Sequence, residues 1–194
     1  MTEKEILKIF KSEKALLSGH FLLSSGLHSP HYMQCALLLR KPWIAQKICK
    51  ALAKKLAGIK IDVVIGPALG GVLVSYEMAR ALKVRSLFAE RVDGQMTLRR
   101  GFSLKKTDKV LVVEDVITTG KSMQEVIEIV KQENLKLAAV ASIVDRSDGA
   151  AIFDTDLFSL LKINIKTYRP EICPLCKEGR TVLTKPGSRT VKSS

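Results

Sequence analysis

Apolar positions in the first third of the chain recur at helical spacing. Ile6, Leu7, Phe10 and Leu17 mark one face of a helix predicted over the first 17 residues. Ala45, Ile48, Cys49, Leu52 and Leu56 form a second stripe over 43–57, with Gly58 just past its end as a C-terminal stop. Between them, 20–39 carries Gly26, three histidines and Pro30, and closes on the apolar run 36–39. Short strands and turns are expected there.

From residue 61 the pattern changes. A β-branched run at 61–65 stops at Gly66-Pro67, and a helix is predicted over 71–82. Strands follow at 84–89, 109–113 and 137–144, with a helix at 122–132 between the last two. Strand–loop–helix repetition with apolar strands predicts an α/β fold: a central, mostly parallel sheet flanked by helices on both faces. Such sheets bind ligands at the carboxyl ends of their strands. Residues 1–184 read as one domain, with a small N-terminal part over about 1–60 and a core over about 61–170. The polar, basic stretch 185–194 is expected to be a mobile tail.

Composition narrows the function classes. With 194 residues, 46% hydrophobic and 26% charged, the chain can bury a core and is not a disordered polymer. It shows no secretory leader and no run long enough to cross a bilayer, so a cytoplasmic protein without membrane contact is expected. The formal charge of +13 reads first as a lysine-rich solvated surface and second as steering of small anions. Nucleic acid ranks far behind, because aromatic residues are not interleaved with the cations. Cys49 falls on a core stripe. Cys173 and Cys176 form a single C-x-x-C with no second pair at ligand spacing, a weak zinc signature that reads first as reduced thiols.

The strongest chemical signal spans 110–122. Four apolar residues end in Glu114 and Asp115, followed by Val116, Ile117, Thr118, Thr119, Gly120, Lys121 and Ser122. Two acids leaving a buried strand can accept hydrogen bonds from a sugar diol. The hydroxyl-rich loop around Gly120 can wrap backbone N–H groups around a phosphate at a helix N-terminus. Ser122 is expected to cap that helix, with Glu125 completing a capping box. The Gly-Lys-Ser ending also suggests a nucleoside triphosphatase loop, but its first glycine would fall on Asp115, whose carboxylate would repel a triphosphate.

This stretch resembles the signature of the phosphoribosyltransferase family, and three further segments are similar to its orotate-specific branch. The turn Gly66-Pro67-Ala68-Leu69-Gly70-Gly71 looks like a pyrophosphate loop, although it also reads as a tight strand–helix connection. The stretch from Glu90-Arg91 to Arg99-Arg100 resembles a mobile catalytic loop. Arg91 matches its first cation, while Arg99 and Arg100 match by charge alone. Ser24-Ser25-Gly26-Leu27-His28-Ser29-Pro30 resembles the N-terminal hood segment, with His28 where a lysine is usual.

The resemblance implies a type I phosphoribosyltransferase fold with a small N-terminal hood. It implies transfer of the 5-phosphoribosyl group from phosphoribosyl pyrophosphate to orotate, in the de novo route to UMP. Glu114, Asp115 and residues 116–122 would bind the ribose phosphate, and Thr118 and Arg146 would face orotate. Ala68, Leu69, Gly70 and Gly71 would take pyrophosphate, and Arg91 and Asp115 would be catalytic. Mg²⁺ would ride on substrate oxygens with no direct protein ligand. The chain would be a homodimer sharing loop residues across subunits. Two alternatives stay open: a purine or uracil phosphoribosyltransferase, and a regulator that senses phosphoribosyl pyrophosphate and binds nucleic acid.

Overall fold

The computed structural model describes residues 1–23 and 25–186, so the tail expected at 185–194 lies outside them from residue 187 onward. Helix α1 (Glu3–Ser12) opens on a capping box. The Thr2 hydroxyl accepts from Glu5 N–H, and the Glu5 carboxylate accepts from Thr2 N–H at 2.7 Å. It buries Ile6 and Phe10, then stops five residues short of the predicted end. Lys14 adopts a left-handed φ of 54°, which turns the chain out of the helix. Leu17 therefore belongs to strand β1 (Leu16–Leu22), which pairs antiparallel with β2 (His28–Met33).

The apolar run expected to be extended is one helical turn, α2 (Ala36–Leu39), and both Leu38 and Leu39 are buried. Adjacent residues point to opposite faces of a strand but can share a helical turn's buried side. Helix α3 (Pro42–Lys55) follows with proline in its first turn, and its predicted stripe is buried.

The core then alternates as expected: β3 (Val63–Pro67), α4 (Gly70–Leu82) and β4 (Arg85–Val92), with β4 turning back into the short β5 (Gln95–Leu98). Strand β6 (Lys109–Ile117), α5 (Lys121–Gln132), β7 (Lys136–Asp145) and β8 (Leu157–Lys162) complete the sheet. The strand order is β5-β4-β3-β6-β7-β8, parallel except for β5. Alternate residues serve two cores. Val64, Leu111 and Val113 pack with α1, α3 and α4, whereas Val63, Ile65, Val110 and Val112 pack under α5. After β8 come a short helix α6 (Pro174–Glu178) and a two-residue strand β9 (Leu183–Thr184), which joins β1 in a second sheet ordered β2-β1-β9.

Candidate active site

The connection from β3 runs outward to β4, while that from β6 runs the opposite way to β7. Strands β3 and β6 are neighbours, so the chain reverses between them, and a crevice forms beyond their carboxyl ends. The pairing itself opens it. The β3–β6 ladder ends at Ile65↔Val112. Beyond that rung β3 stays with β4 to Pro67↔Ala89, and β6 stays with β7 to Ile117↔Asp145.

One rim is the turn after β3. A Cβ at Gly66 would lie 2.2 Å from the Gly71 carbonyl oxygen, and one at Gly71 would lie 2.7 Å from Pro67 Cδ. Strand end and helix start therefore touch backbone to backbone. Ala68 N–H donates to the Ala89 carbonyl at 2.7 Å, and Leu69 projects outward, 82% exposed. Gly70 faces the other rim: a Cβ there would lie 2.6 Å from Asp115 Cγ.

That second rim is β6, which continues through the acid pair to Ile117 rather than ending at Val113. Val116 N–H donates to Asp115 Oδ1 at 2.9 Å, and Asp115 N–H donates to Glu114 Oε1 at 3.2 Å. Burial pushes the Asp115 carboxyl above its ordinary pKa, partly offset by hydrogen bonds from Glu114 and the backbone. Thr118 and Thr119 are exposed, and Gly120 turns left-handed with φ 74°.

The expected Ser122 cap does not form. Helix α5 starts at Lys121 with Gly120 as its N-cap and no side-chain cap, and Glu125 pairs with Arg91 instead. The glycine lets the helix begin one residue earlier, and its first amides are left without a side-chain cap. Lys121 N–H reaches only Thr119 Oγ1, at 3.4 Å. The loop is braced from behind: a Cβ on Gly120 would meet Phe153 at 3.0 Å, and Gln124 Nε2 donates to the Ile152 carbonyl at 2.6 Å.

Arg146 stands at the end of β7, its N–H donating to the Ile117 carbonyl at 2.8 Å. Arg146 is half-buried, and its Nε is buried with no hydrogen-bond partner. Burial lowers its pKa, opposed by the neighbouring Tyr32 and Cys35. A desolvated cationic fork with an unused donor is a ready partner for a planar carboxylate.

Known proteins carry the same architecture. Residues 37–169 match the phosphoribosyl transferase domain family. Over 187 residues the chain is 57% identical to an orotate phosphoribosyltransferase of Carboxydothermus hydrogenoformans, covering 95% of this chain and 97% of that one. It is 56% identical over 192 residues to that of Caldicellulosiruptor saccharolyticus, with 99% and 100% covered. The chain belongs to the orotate phosphoribosyltransferase family. The crystal structure of the Aeropyrum pernix orotate phosphoribosyltransferase superposes with a TM-score of 0.70 at 25% identity, covering 81% of this chain and 93% of that one.

Within this phosphoribosyltransferase frame the remaining sequence candidates separate. Glu114, Asp115, the 118–120 loop, Gly70 and Arg146 converge on one crevice. Arg91 lies on the β4–β5 hairpin, donating to the Gly94 carbonyl at 3.0 Å and paired with Glu125. Arg100 folds back on Glu90 through two hydrogen bonds of 3.0 and 3.1 Å and stacks over Phe88, which is a hairpin brace. Arg99 is exposed. His28 does not lie on the surface: it is 5% exposed and packs edge-on against His20.

Tyr32 is the residue that pattern reading missed. It sits on β2, where burial and the negative Asp115 raise its hydroxyl pKa and Arg146 opposes the rise. The hood strand thus brings a phenol within the electrostatic reach of Asp115 and Arg146. A single half-buried tyrosine beside Pro30 carries no periodic signal.

Proposed function

We propose that this chain transfers the 5-phosphoribosyl group of phosphoribosyl pyrophosphate to orotate, giving orotidine 5′-phosphate and pyrophosphate on the de novo route to UMP. The observation that carries this is the meeting, at one topological switch point, of an acid pair, a helix N-terminus without a side-chain cap and the buried, unpartnered Nε of Arg146. In this reading Glu114 and Asp115 accept from the ribose 2′- and 3′-hydroxyls. Backbone amides of residues 116–122 receive the 5′-phosphate, with Lys121 and the Thr118, Thr119 and Ser122 hydroxyls around it. Arg146 and Thr118 hold the orotate carboxylate and ring edge, and Ala68, Leu69, Gly70 and Gly71 offer amides to the pyrophosphate.

As the C1–O bond to pyrophosphate lengthens, positive charge grows at the anomeric carbon and negative charge on the leaving group. The acid pair keeps the sugar aligned, and the 68–71 amides stabilise the departing oxygens. The carboxylates of Glu114 and Asp115 are hard oxygen donors, which suits a substrate whose own oxygens carry Mg²⁺. The ion would supply neutralisation of the leaving diphosphate.

The functional unit in this reading is a single domain of residues 1–184 with the hood over the crevice, working as a cytoplasmic homodimer. Leu69, Leu73 and Tyr76 expose apolar surface on one segment. A neighbouring groove of about 530 Å³, lined by Val72, Tyr76, Phe88 and Phe102, continues that surface. Arg91 would leave Glu125 to reach the partner's pyrophosphate. The deciding assay follows orotate absorbance with phosphoribosyl pyrophosphate and Mg²⁺. Consumption of orotate, and not of adenine or uracil, is expected; absence of orotate turnover would overturn the assignment.

A further inference from the structure

Remote from the crevice, four side chains from opposite ends of the chain converge. His20 lies on β1, His28 opens β2, and Cys173 and Cys176 flank the first turn of α6. Their donor atoms all lie within 4.8 Å of one another. His20 Nε2 is 2.9 Å from His28 Nδ1 and 3.6 Å from each sulfur, and Cys176 Sγ is 3.2 Å from His28 Nδ1. A tetrahedral zinc centre with bonds of about 2.0–2.1 Å to nitrogen and 2.3 Å to sulfur has edges of roughly 3.3 Å (N–N) and 3.6 Å (N–S).

Hydrogen bonding does not account for this cluster. His20 Nε2 has one lone pair or one proton to share, yet three donor atoms crowd it. Its other nitrogen, Nδ1, lies 3.4 Å from the Thr181 carbonyl. With the proton held there, Nε2 presents its lone pair inward, the arrangement found in histidine ligands supported by a second hydrogen bond. His28 is fixed in turn by reciprocal 2.8 Å backbone bonds with Tyr168.

The segment that supplies the cysteines has little else to hold it. Among the described residues after Ile165, only Cys173 is buried, while Ile172 and Val182 are 62% and 87% exposed. A stretch this poor in core needs a staple.

We propose that His20, His28, Cys173 and Cys176 bind one Zn²⁺ in a closed structural site that pins the C-terminal segment to the hood hairpin. Two nitrogens and two thiolates suit zinc. Four protein ligands leave no open position for chemistry. Binding expels the thiol protons to solvent and leaves a neutral centre. The sequence shows only the C-x-x-C half of the motif; its histidine half lies some 150 residues upstream and joins it only in the fold.

The test uses the full-length chain without an affinity tag. Metal analysis of protein purified under reducing conditions should find about one zinc per chain. Cobalt(II) exchanged into the site should give the intense visible bands of a tetrahedral ion and a thiolate charge-transfer band. Cys176→Ser, at an exposed position, should fold and weaken zinc beyond the ~10–100-fold that loss of a supporting group costs. His31→Ala, on the same hairpin, should retain it. Chelation should speed proteolysis within 166–186 without removing the sheet core. A Cys173–Cys176 disulfide in the purified protein, no zinc uptake on reconstitution, or an octahedral cobalt spectrum would overturn the proposal.

Discussion

The Asp115 carboxyl occupies the space that a side chain on Gly70 would need: a Cβ there would stand 2.6 Å from both Asp115 Cγ and Oδ1. The two rims of the crevice are thus in contact, so the proposed sugar and pyrophosphate sites would share a wall. Gly70→Ala meets only the end of a side chain, which can rotate away. It should fold with nearly native stability but displace Asp115, cutting kcat/KM by about 10–100-fold, a size usual for misplaced catalytic groups. Gly66→Ala is different in kind, because its Cβ would strike the Gly71 carbonyl at 2.2 Å and backbone must move. That variant should lose about 3 kcal/mol or more of stability, as severe overpacking does. Kinetics and urea melts of the pair separate the two effects, and equal stability losses would remove the distinction.

Asp115 itself should show stability and activity moving in opposite directions. Burial raises its pKa, so its charge weighs against the fold. For a carboxyl with a raised folded pKa, the stabilisation is present below its unfolded pKa and is lost as pH rises through the folded value. Asp115→Asn removes that penalty and keeps an oxygen for Val116 N–H. The ligand-free variant should melt on the order of 2 °C higher at pH 7, with the gain fading toward pH 4. Turnover should fall by roughly 10²–10³-fold, as when one preorganised polar group is lost. A wild-type rate in this variant would contradict the ribose role.

How far sequence reached depended on whether a residue's partners were near it in the chain. The sheet core was legible because β3, β6 and β7 are short apolar runs closed by glycine or acid, and the phosphate loop because its parts are contiguous. The end of α1 was not, since Lys14 takes a left-handed turn that no apolar pattern encodes. Nor was the start of α5: Ser122 and Glu125 satisfy the capping pattern, but Gly120 and Arg91 compete for those roles in three dimensions. Tyr32, His20 and His28 were out of reach for the same reason, as each acquires its role from segments distant in the chain: Asp115 and Arg146 for Tyr32, Cys173 and Cys176 for the histidines.

Arg146 offers a direct reading of substrate choice. Its buried, unpartnered Nε predicts that a carboxylate-bearing base completes the site. Arg146→Lys keeps a charge but loses the planar fork. The KM for orotate should rise about 10–100-fold, equivalent to roughly 1.4–2.8 kcal/mol, while the KM for phosphoribosyl pyrophosphate stays within about twofold because the acid pair and loop are untouched. An unchanged orotate KM would return Arg146 to a purely structural place at the end of β7.

The opposite end of the sheet's strands supplies the complementary case. Asp108 and Arg85 stand at the amino ends of β6 and β4, away from the crevice, and pair with each other. Asp108 is 4% exposed and also accepts from Lys105 N–H at 2.7 Å. Burial works against its ionisation, but the Lys105 and Arg85 hydrogen bonds outweigh it, so its pKa lies below the ordinary carboxylate value. A depressed folded pKa contributes stability that is present above the unfolded pKa and is lost as pH falls through the folded one. Asp108→Asn should therefore cost about 1–3 kcal/mol at pH 7, the range for a buried charge-assisted hydrogen bond, and the gap to the parent protein should narrow below about pH 4. Neither KM should change, because sheet polarity puts this pair at the end where no ligand binds. Urea melts at pH 7 and pH 4 measure the first expectation and steady-state kinetics the second. A pH-independent stability gap would mean that packing, not charge, holds Asp108 in place.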